Sequence, residues 1–405
     1  MMIFWIFVCI TIFGLLGYLA QALAVHGTMK CNGCESAGSD KGPEGFCPPV
    51  SILKPLKGLD DNLFDNLESF CIQDYPQYEI IFALQDYNDS AYKIVRKIKN
   101  KYPDRDISII VEKCDDGLNP KVNNLIPACR FSKYSFILIS DSNVLVDSNY
   151  LKEVIRHMKD PDIGLVSNII RGVRGRTLGS VFENLHMNSF IAGSVCFLDR
   201  FLGMPCVIGK SILMRKSDLK AIGGFREVKD VLAEDYVIGQ KIYEKGRKVV
   251  LSNYIINNVN EYWGFSKFFN RHIRWGKLRW KIGGLRYFSE LLSNAVFVSV
   301  LPVFLLGPSK LTLSFAALVS CFKIGCDFYI GRKIKADINP LHYFFSPVKD
   351  LIIGIIWFIP ILSNTVVWRG NRYMIGKGSI LSPCPESEIW AWRLRVVQAI
   401  KIRMA

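Results

Sequence analysis

The chain has 405 residues, 50% hydrophobic and 21% charged, with a formal net charge of +15. This mixture suits one large soluble domain joined to membrane segments better than it suits a transporter. The excess positive charge favours anionic lipids or phosphorylated ligands as partners, and no segment reads as a nucleic-acid-binding module.

The N-terminal segment is apolar. Residues 2–24 carry no charge and have about the length that crosses a bilayer, roughly 20 residues. A secretory signal would begin with positive residues, which are missing here. We therefore predict a retained transmembrane anchor over residues 1–25, with its N-terminus outside, followed by a linker over 26–47.

Most of the twelve cysteines stand singly among apolar residues, which is typical of reduced thiols in a protein facing the cytosol. One cluster in the linker contains metal-ligand types, namely His26, Cys31, Cys34 and Cys47. Its second half lacks the usual paired spacing, so a zinc site and an unstructured linker both stay open.

Residues 48–260 alternate between short Ile- and Val-rich runs and amphipathic helical stretches. This alternation predicts a mostly parallel sheet with helices on both faces. Continuous apolar runs are typical of strands buried on both sides. The predicted strands are 48–56, 78–86, 107–112, 136–144 and 163–170. Ligands of such sheets bind beyond the carboxyl ends of the strands.

Acidic residues follow two of these runs, in LQDYND (84–89) and SDSN (140–143), and a further pair stands in AEDY (233–236). Turn formation and helix capping would also explain each one alone. Together they favour a site in which carboxylates hold a metal-bound diphosphate and supply a general base. No P-loop, G-x-G-x-x-G or G-x-S-x-G motif occurs, which argues against an NTPase, an NAD enzyme and a serine esterase.

The sequence RHIRWGKLRW (271–280) interleaves tryptophan with positive charge. We predict an amphipathic helix over 262–282, within an interfacial segment 261–289, that lies in the membrane surface. Arg271 and Arg274 would share one face and point at a diphosphate. The alternative is a charge run that only sets membrane topology. Carboxylates together with this block suit transfer from a nucleotide-activated donor to a lipid.

A C-terminal transmembrane region is predicted over 290–370. Residues 291–308 and 311–330 read as a helical hairpin, and with the anchor they give three spans. Residues 350–368 contain Pro360. A full span would place the basic tail (371–405) outside, whereas a re-entrant or interfacial segment would keep it in the cytosol.

The ordered motifs SILKPLKG (51–58), LQDYND, NPKVNN (119–124), SDSN, AEDY and RHIRW (271–275) resemble those of the ceramide glucosyltransferase family. The last one fits the (Q/R)-x-x-R-W signature of processive-type glycosyltransferases. The resemblance covers nearly the whole chain. It implies an α/β GT-A (Rossmann-like) catalytic domain with a mostly parallel sheet, plus N-terminal and C-terminal transmembrane helices.

The resemblance also implies site residues. Asp235 would be the catalytic base, Trp275 would bind the acceptor, and Asp141 would hold a divalent cation, Mg²⁺ or Mn²⁺. The donor-binding residues would be Asp86, Asp89, Lys121, Asp141, Arg271 and Arg274. Many related enzymes carry Asp-x-Asp where this chain has Asp141-Ser142-Asn143. Asn143 offers a neutral oxygen but no charge, so we expect either weaker metal binding or the use of another carboxylate.

The implied reaction is inverting transfer of glucose from UDP-glucose to the primary hydroxyl of ceramide. The protein would be a multi-pass membrane enzyme with a cytosolic catalytic domain, in a bacterial inner membrane or a Golgi-type membrane. Animal members carry a histidine in the segment matching residues 190–199, and this chain has none there. Another lipid acceptor, such as a hopanoid polyol or diacylglycerol, therefore stays open. A polysaccharide synthase would need more spans, and a non-catalytic scaffold would need no carboxylates at strand ends.

Overall fold

The computed structural model describes residues 2–35, 45–204, 206–368 and 370–384. A central eight-stranded sheet organises the domain that follows the first helix. Its strands are β1 (Val50–Pro55), β2 (Tyr78–Leu84), β3 (Ile107–Val111), β4 (Phe136–Ser140), β5 (Val144–Leu145), β6 (Ile163–Val173), β7 (Ser211–Arg215) and β8 (Lys248–Val259).

The strand order is β3-β2-β1-β4-β7-β6-β8-β5. β5 and β7 run antiparallel to their neighbours, and the other strands share one direction. The five strands that apolar runs predict are present as β1, β2, β3, β4 and β6. A mostly parallel α/β sheet is therefore confirmed.

The sheet is buried on both faces. Ile52 and Phe82 belong to the core on one face, and Leu53 and Ile81 belong to the core on the other. This alternation explains why the strands read as continuous apolar runs. The helices of this domain are α2 (Leu63–Glu68), α3 (Ser90–Lys101), α4 (Pro120–Phe131), α5 (Tyr150–Ile155), α6 (Leu178–His186), α7 (Ala192–Leu202), α8 (Lys216–Ala221) and α9 (Glu234–Glu244).

The N-terminal helix α1 (Met2–Glu35) is longer than the predicted anchor. It continues past residue 25 into the segment predicted as a linker, because Ala24 and Val25 pack on Ile169 of the sheet domain. The side chains of Cys31 and Cys34 lie outside the described residues, so the zinc hypothesis stays a prediction.

The C-terminal helices are α10 (Phe265–Gly283), α11 (Phe288–Ser293), α12 (Ala295–Leu305), α13 (Lys310–Lys333), α14 (Ser346–Ile356) and α15 (Ile359–Leu362). The segments Met2–Lys30, Lys310–Lys333 and Pro340–Leu362 are long and apolar enough to cross a membrane. α12 has only 11 residues and is bent by 69° from the preceding helical segment. The segment predicted as a span over 291–308 is therefore part of a bent helix pair rather than one straight helix, and its crossing of the membrane stays a prediction.

The residues just before the Pro340–Leu362 segment contact the sheet domain, and the residues just after it contact α10. Before it, Arg171 of β6 donates hydrogen bonds to the carbonyls of Ile334 (2.9 Å) and Lys335 (2.8 Å). After it, Lys277 of α10 donates to the carbonyl of Thr365. The segment therefore leaves the sheet domain and returns to the same end of the molecule.

A small antiparallel sheet follows, with strands β9 (Thr365–Trp368), β10 (Asn371–Ile375) and β11 (Leu381–Pro383). Its residue Ser379 accepts a hydrogen bond from the backbone N–H of Ala233, just before α9. Residues 365–368, predicted as part of an apolar membrane stretch, and 371–383, predicted as tail, thus form a layer on the sheet domain. The remainder of the tail, residues 385–405, lies outside the described residues.

Candidate active site

A cleft of about 730 Å³ lies at the carboxyl ends of β1 and β4, between the sheet and α10. This volume is within the range of about 300–1,000 Å³ that small-molecule sites occupy. It is the edge of the sheet at which an α/β fold binds ligands. Six of the sequence-predicted site residues line it, namely Lys121, Asp141, Asp235, Arg271, Arg274 and Trp275.

Asp141 follows the last residue of β4 and lies between two ammonium groups. The Nζ of Lys121 is 2.9 Å from its Oδ1, and the Nζ of Lys210 is 2.9 Å from its Oδ2. Burial alone would raise the pKa of Asp141, but the two lysines outweigh burial and hold that pKa well below its usual range. Asp141 is therefore ionised throughout the physiological pH range.

Lys121 links the end of β4 to the start of α9. It lies in the first turn of α4, where the side chain of Asn119 caps the helix by accepting hydrogen bonds from the backbone N–H groups of Lys121 and Val122. Its Nζ also lies 2.9 Å from Oε1 of Glu234. Burial lowers the pKa of Lys121, but the surrounding carboxylates outweigh it and raise the pKa above the usual value.

Lys210 is a cleft residue that the sequence interpretation missed. Ser140 of β4 pairs antiparallel with Ser211 of β7, and this register sets Lys210 beside Asp141. Its Nζ also donates to Oδ1 of Asn143 at 2.8 Å. No local motif signals this contact, because it depends on a strand pairing that a mostly parallel pattern does not predict.

Asp235 stands in the first turn of α9. Its Oδ2 accepts a hydrogen bond from the backbone N–H of Gly209 at 2.6 Å, and its Oδ1 accepts one from the backbone N–H of Tyr236 at 2.8 Å. Burial, followed by the negative charge of Glu234, raises the pKa of Asp235 to about 6. A carboxylate that titrates near neutral pH is suited to general-base catalysis.

Helix α10 borders the cleft opposite the carboxylates. The guanidinium of Arg271 lies over the rings of Trp263 (4.9 Å) and Trp275 (4.3 Å), and its Nη1 is 3.0 Å from Oε1 of Glu183. Arg274 lines the same cleft. Arg271 and Arg274 thus both line the cleft, and their role in binding a diphosphate stays a prediction.

Asp86 and Asp89, predicted to bind the donor, do not line the cleft. Asp86 is exposed and accepts from the backbone N–H of Asn88. Asp89 caps α3 and accepts from the backbone N–H of Gly58 at 2.9 Å. It thereby fixes the loop after β1, which borders the cleft at Lys57. Its capping and turn contacts explain its place in the sequence without a ligand.

The donor set around Asp141 fits a divalent cation that arrives with phosphate groups. Among the described residues, no three His, Cys, Asp or Glu side chains cluster as a ready-made metal site. Mg²⁺ commonly binds through one or two carboxylates, water and substrate phosphates. Asp141 supplies one such carboxylate, with the amide oxygen of Asn143 nearby, once Lys121 and Lys210 turn towards the phosphates.

The model of glycosyl transferase family 21 matches residues 9–381. The protein named ceramide glucosyltransferase 1 of Caenorhabditis elegans is 28% identical over 354 residues, 85% of this chain and 76% of that protein. Ceramide glucosyltransferase of Candida albicans is 38% identical over 118 residues, 26% of this chain and 22% of that protein. The fold was also compared with solved structures. The mannosyltransferase PcManGT from Pyrobaculum calidifontis, in complex with GDP-Man and Mn²⁺, matches this chain with a TM-score of 0.49 and 16% sequence identity, and the match covers 86% of this chain and 98% of that one.

Proposed function

The chain belongs to glycosyl transferase family 21, and we propose that it transfers glucose from UDP-glucose to the primary hydroxyl of ceramide, giving glucosylceramide. The observation that carries the proposal is the cleft, where Asp235, with a pKa raised to about 6, faces the charged side chains of Lys121, Lys210 and Arg274. Relatives named ceramide glucosyltransferase support this choice of donor and acceptor.

We propose that the cleft binds the diphosphate of UDP-glucose through Lys121, Lys210 and Arg274. The two lysines now pair with Asp141, so their ammonium groups already lie in the cleft and need only turn towards the phosphates. A divalent cation, Mg²⁺ or Mn²⁺, held by Asp141 would neutralise further charge on the diphosphate when bound. Asp86 and Asp89 would affect donor binding indirectly, through the loop after β1 that Asp89 holds by its hydrogen bond from Gly58.

In the proposed reaction, Asp235 takes the proton from the lipid hydroxyl. The hydroxyl oxygen forms a bond to the anomeric carbon, the bond from that carbon to the diphosphate oxygen breaks, and UDP leaves with the electron pair. Attack from the face opposite UDP inverts the anomeric centre. Positioning by the cleft and positive charge at the leaving group supply most of the rate enhancement. Trp275 would border the lipid.

The chain is a membrane protein, and we propose that its catalytic domain (48–260) and basic tail (371–405) both face the cytosol. Because Pro340–Leu362 begins and ends against the sheet domain or α10, we propose that it re-enters the membrane rather than crossing it. A cysteine introduced at Lys377, in a background without exposed cysteines, should react with an impermeant maleimide only when the cytosolic face is accessible. Labelling from the opposite face would overturn this topology.

Purified protein in nanodiscs tests the reaction. UDP-glucose, UDP-galactose and UDP-N-acetylglucosamine, each radiolabelled, would be offered with ceramide, diacylglycerol and a hopanoid polyol. We expect label from UDP-glucose in glucosylceramide. Label in a different lipid, or from a different donor, would contradict the proposed substrates while leaving the site chemistry intact.

A further inference from the structure

The lining of the active-site cleft contains apolar side chains to which the proposed reaction gives no role. Leu232, Leu278, Val367 and Trp368 line the same cleft as the charged side chains assigned to the donor. They come from three separate parts of the chain, namely the turn before α9, helix α10 and strand β9. We refer to these four residues, together with Trp275, as the apolar strip.

The apolar strip is continuous and ends beside the proposed base. Leu232 belongs to an apolar cluster against which Leu278 and Trp368 pack. Trp275 precedes Leu278 by three residues on α10, so these two side chains share one face of the helix. Leu232 also stands only three residues before Asp235, and both line the cleft. An acceptor whose hydroxyl lies at Asp235 therefore has apolar side chains next to it.

Strand β9 contributes one buried valine and one exposed valine. Val366 is 3% exposed and belongs to the same cluster as Leu232, whereas Val367 is 68% exposed at the cleft. Successive side chains of a strand point to opposite faces, so the packing of the small sheet does not use Val367. A single exposed valine is ordinary on a protein surface, but this one extends an apolar strip along a ligand cleft.

The apolar strip also lies next to the end of the membrane segment Pro340–Leu362. A methyl group on Gly276, the neighbour of Trp275, would stand 2.7 Å from Cγ of Pro360, so α10 packs closely on this segment. Leu362 is the last residue of the segment and is 84% exposed. The cleft is therefore bordered at Trp275 by a part of the chain that is apolar enough for the membrane.

The connection from the membrane segment to β9 is fixed on α10. Lys277 donates a hydrogen bond to Oγ of Ser363 at 3.1 Å and another to the carbonyl oxygen of Thr365, the first residue of β9. These contacts hold β9 beside α10 at the cleft. The apolar strip thus runs between α10 and β9, from the end of the membrane segment to Asp235.

We propose that the apolar strip is the subsite for a hydrocarbon chain of the lipid acceptor. The lipid enters from the membrane between α10 and β9 and brings its hydroxyl to Asp235. This inference rests on the proposed function and deepens it, because it assigns Leu278, Val367 and Trp368 to the acceptor, ceramide. Covering apolar surface on both partners stabilises the complex, and an acceptor without a hydrocarbon chain would gain nothing from the strip.

Acceptor kinetics in nanodiscs test the proposal. Val367→Asn places an uncharged polar group in the apolar strip, at an exposed position on which folding does not depend. It should raise the KM for ceramide about tenfold, while the KM for UDP-glucose stays within about twofold. Val367→Leu keeps the position apolar and should hold the ceramide KM within about threefold of wild type.

Ile380→Asn is the matched control for this experiment. Ile380 is 56% exposed and stands next to β11 of the same small sheet, but it does not line the cleft. The control should leave both KM values unchanged. An unchanged ceramide KM in Val367→Asn, or an equal rise in both KM values, would overturn the proposal.

Photoactivatable ceramides separate this proposal from the proposed function. Two are used, one with a diazirine in the acyl chain and one with a diazirine in the sphingoid chain. At least one of them should cross-link to the peptide that contains Val367 and Trp368. Excess unlabelled ceramide should suppress this cross-link, and Val367→Asn should reduce it.

The two possible failures give different results. If the cross-link to β9 forms but no glucosylceramide is made, the chain subsite stands and the proposed reaction fails. If glucosylceramide is made but neither ceramide cross-links to β9, the chain subsite fails and the proposed reaction stands.

Discussion

Acidification below pH 6 should slow transfer by protonating Asp235. Burial and the charge of Glu234 raise the pKa of this carboxyl to about 6, and only its ionised form accepts the proton of the acceptor. At pH 5 about a tenth of the sites would be ionised, so kcat/KM should be about tenfold below its plateau. A carboxyl with the ordinary pKa of about 3.9 would remain about nine-tenths ionised at that pH.

The variant Glu234→Gln tests the cause of this shift. It removes the negative charge that raises the pKa of Asp235, so the acid limb should move to lower pH, whatever happens to the plateau rate through the lost contact with Lys121. Glu244→Gln, at the other end of the same helix, should leave the limb in place. Initial rates from about pH 4.5 to 8 provide the profile. A limb that does not move in Glu234→Gln, or that lies well below pH 5 in the wild type, would refute the assignment of Asp235 as the base.

Three further variants address neighbouring groups. Lys210→Met removes a charged contact to the diphosphate and should raise the KM for UDP-glucose about 10- to 100-fold. Lys152→Met, at an exposed ion pair, is the control and should leave this KM unchanged. Titration calorimetry with UDP measures the corresponding change in affinity. Gly209→Ala would set a methyl carbon 2.6 Å from Oδ2 of Asp235 and should reduce kcat by about 10- to 100-fold. Gly325→Ala is the control in the same assay, because a methyl group there meets no neighbour within 4 Å. Because the pKa of Asp235 is raised to about 6 in the folded state, from about 3.9 in the unfolded chain, the folded protein loses stability as the pH rises between these two values. Asp235→Asn should therefore raise Tm more at pH 8 than at pH 4 in a thermal-shift assay. An unchanged UDP affinity in Lys210→Met, an unaffected kcat in Gly209→Ala, or an equal change of Tm at both pH values in Asp235→Asn would each contradict the corresponding step.

The sheet was predictable because strands buried on both faces leave continuous apolar runs, as in Phe136–Ser140. Asp141 was predictable for the same reason, since a charge directly after such a run stands at the sheet edge where ligands bind. Lys210 was not, because it reaches Asp141 only through the antiparallel pairing of β4 with β7. Asp89 shows the ambiguity of such a position, since an aspartate after a strand also serves as a helix cap, and its role in donor binding stays a prediction.

The membrane segments were predictable only in part, because apolarity alone does not say what covers a stretch. Thr365–Trp368 forms a strand that packs on the sheet domain, where Val366 lies in one apolar cluster with Leu232. α12 is apolar, but alone it is too short to cross, since 11 residues rise about half the thickness of the hydrocarbon core, roughly 16 Å of 30 Å, and only together with the helical segment before it does it qualify as a span. The contacts of Arg171 with the chain after α13 determine the path, and no local pattern reports them.

The most direct test of the account offers wild type and Asp235→Asn the same two acceptors, ceramide and a ceramide analogue that lacks the primary hydroxyl, with radiolabelled UDP-glucose. The account predicts label in glucosylceramide with the wild type alone and no label in the deoxy analogue with either protein. Binding of UDP by Asp235→Asn should be retained, which shows that its cleft is folded. Label in the deoxy analogue, or transfer by Asp235→Asn at a rate near that of the wild type, would contradict the claim that Asp235 activates the primary hydroxyl of the lipid.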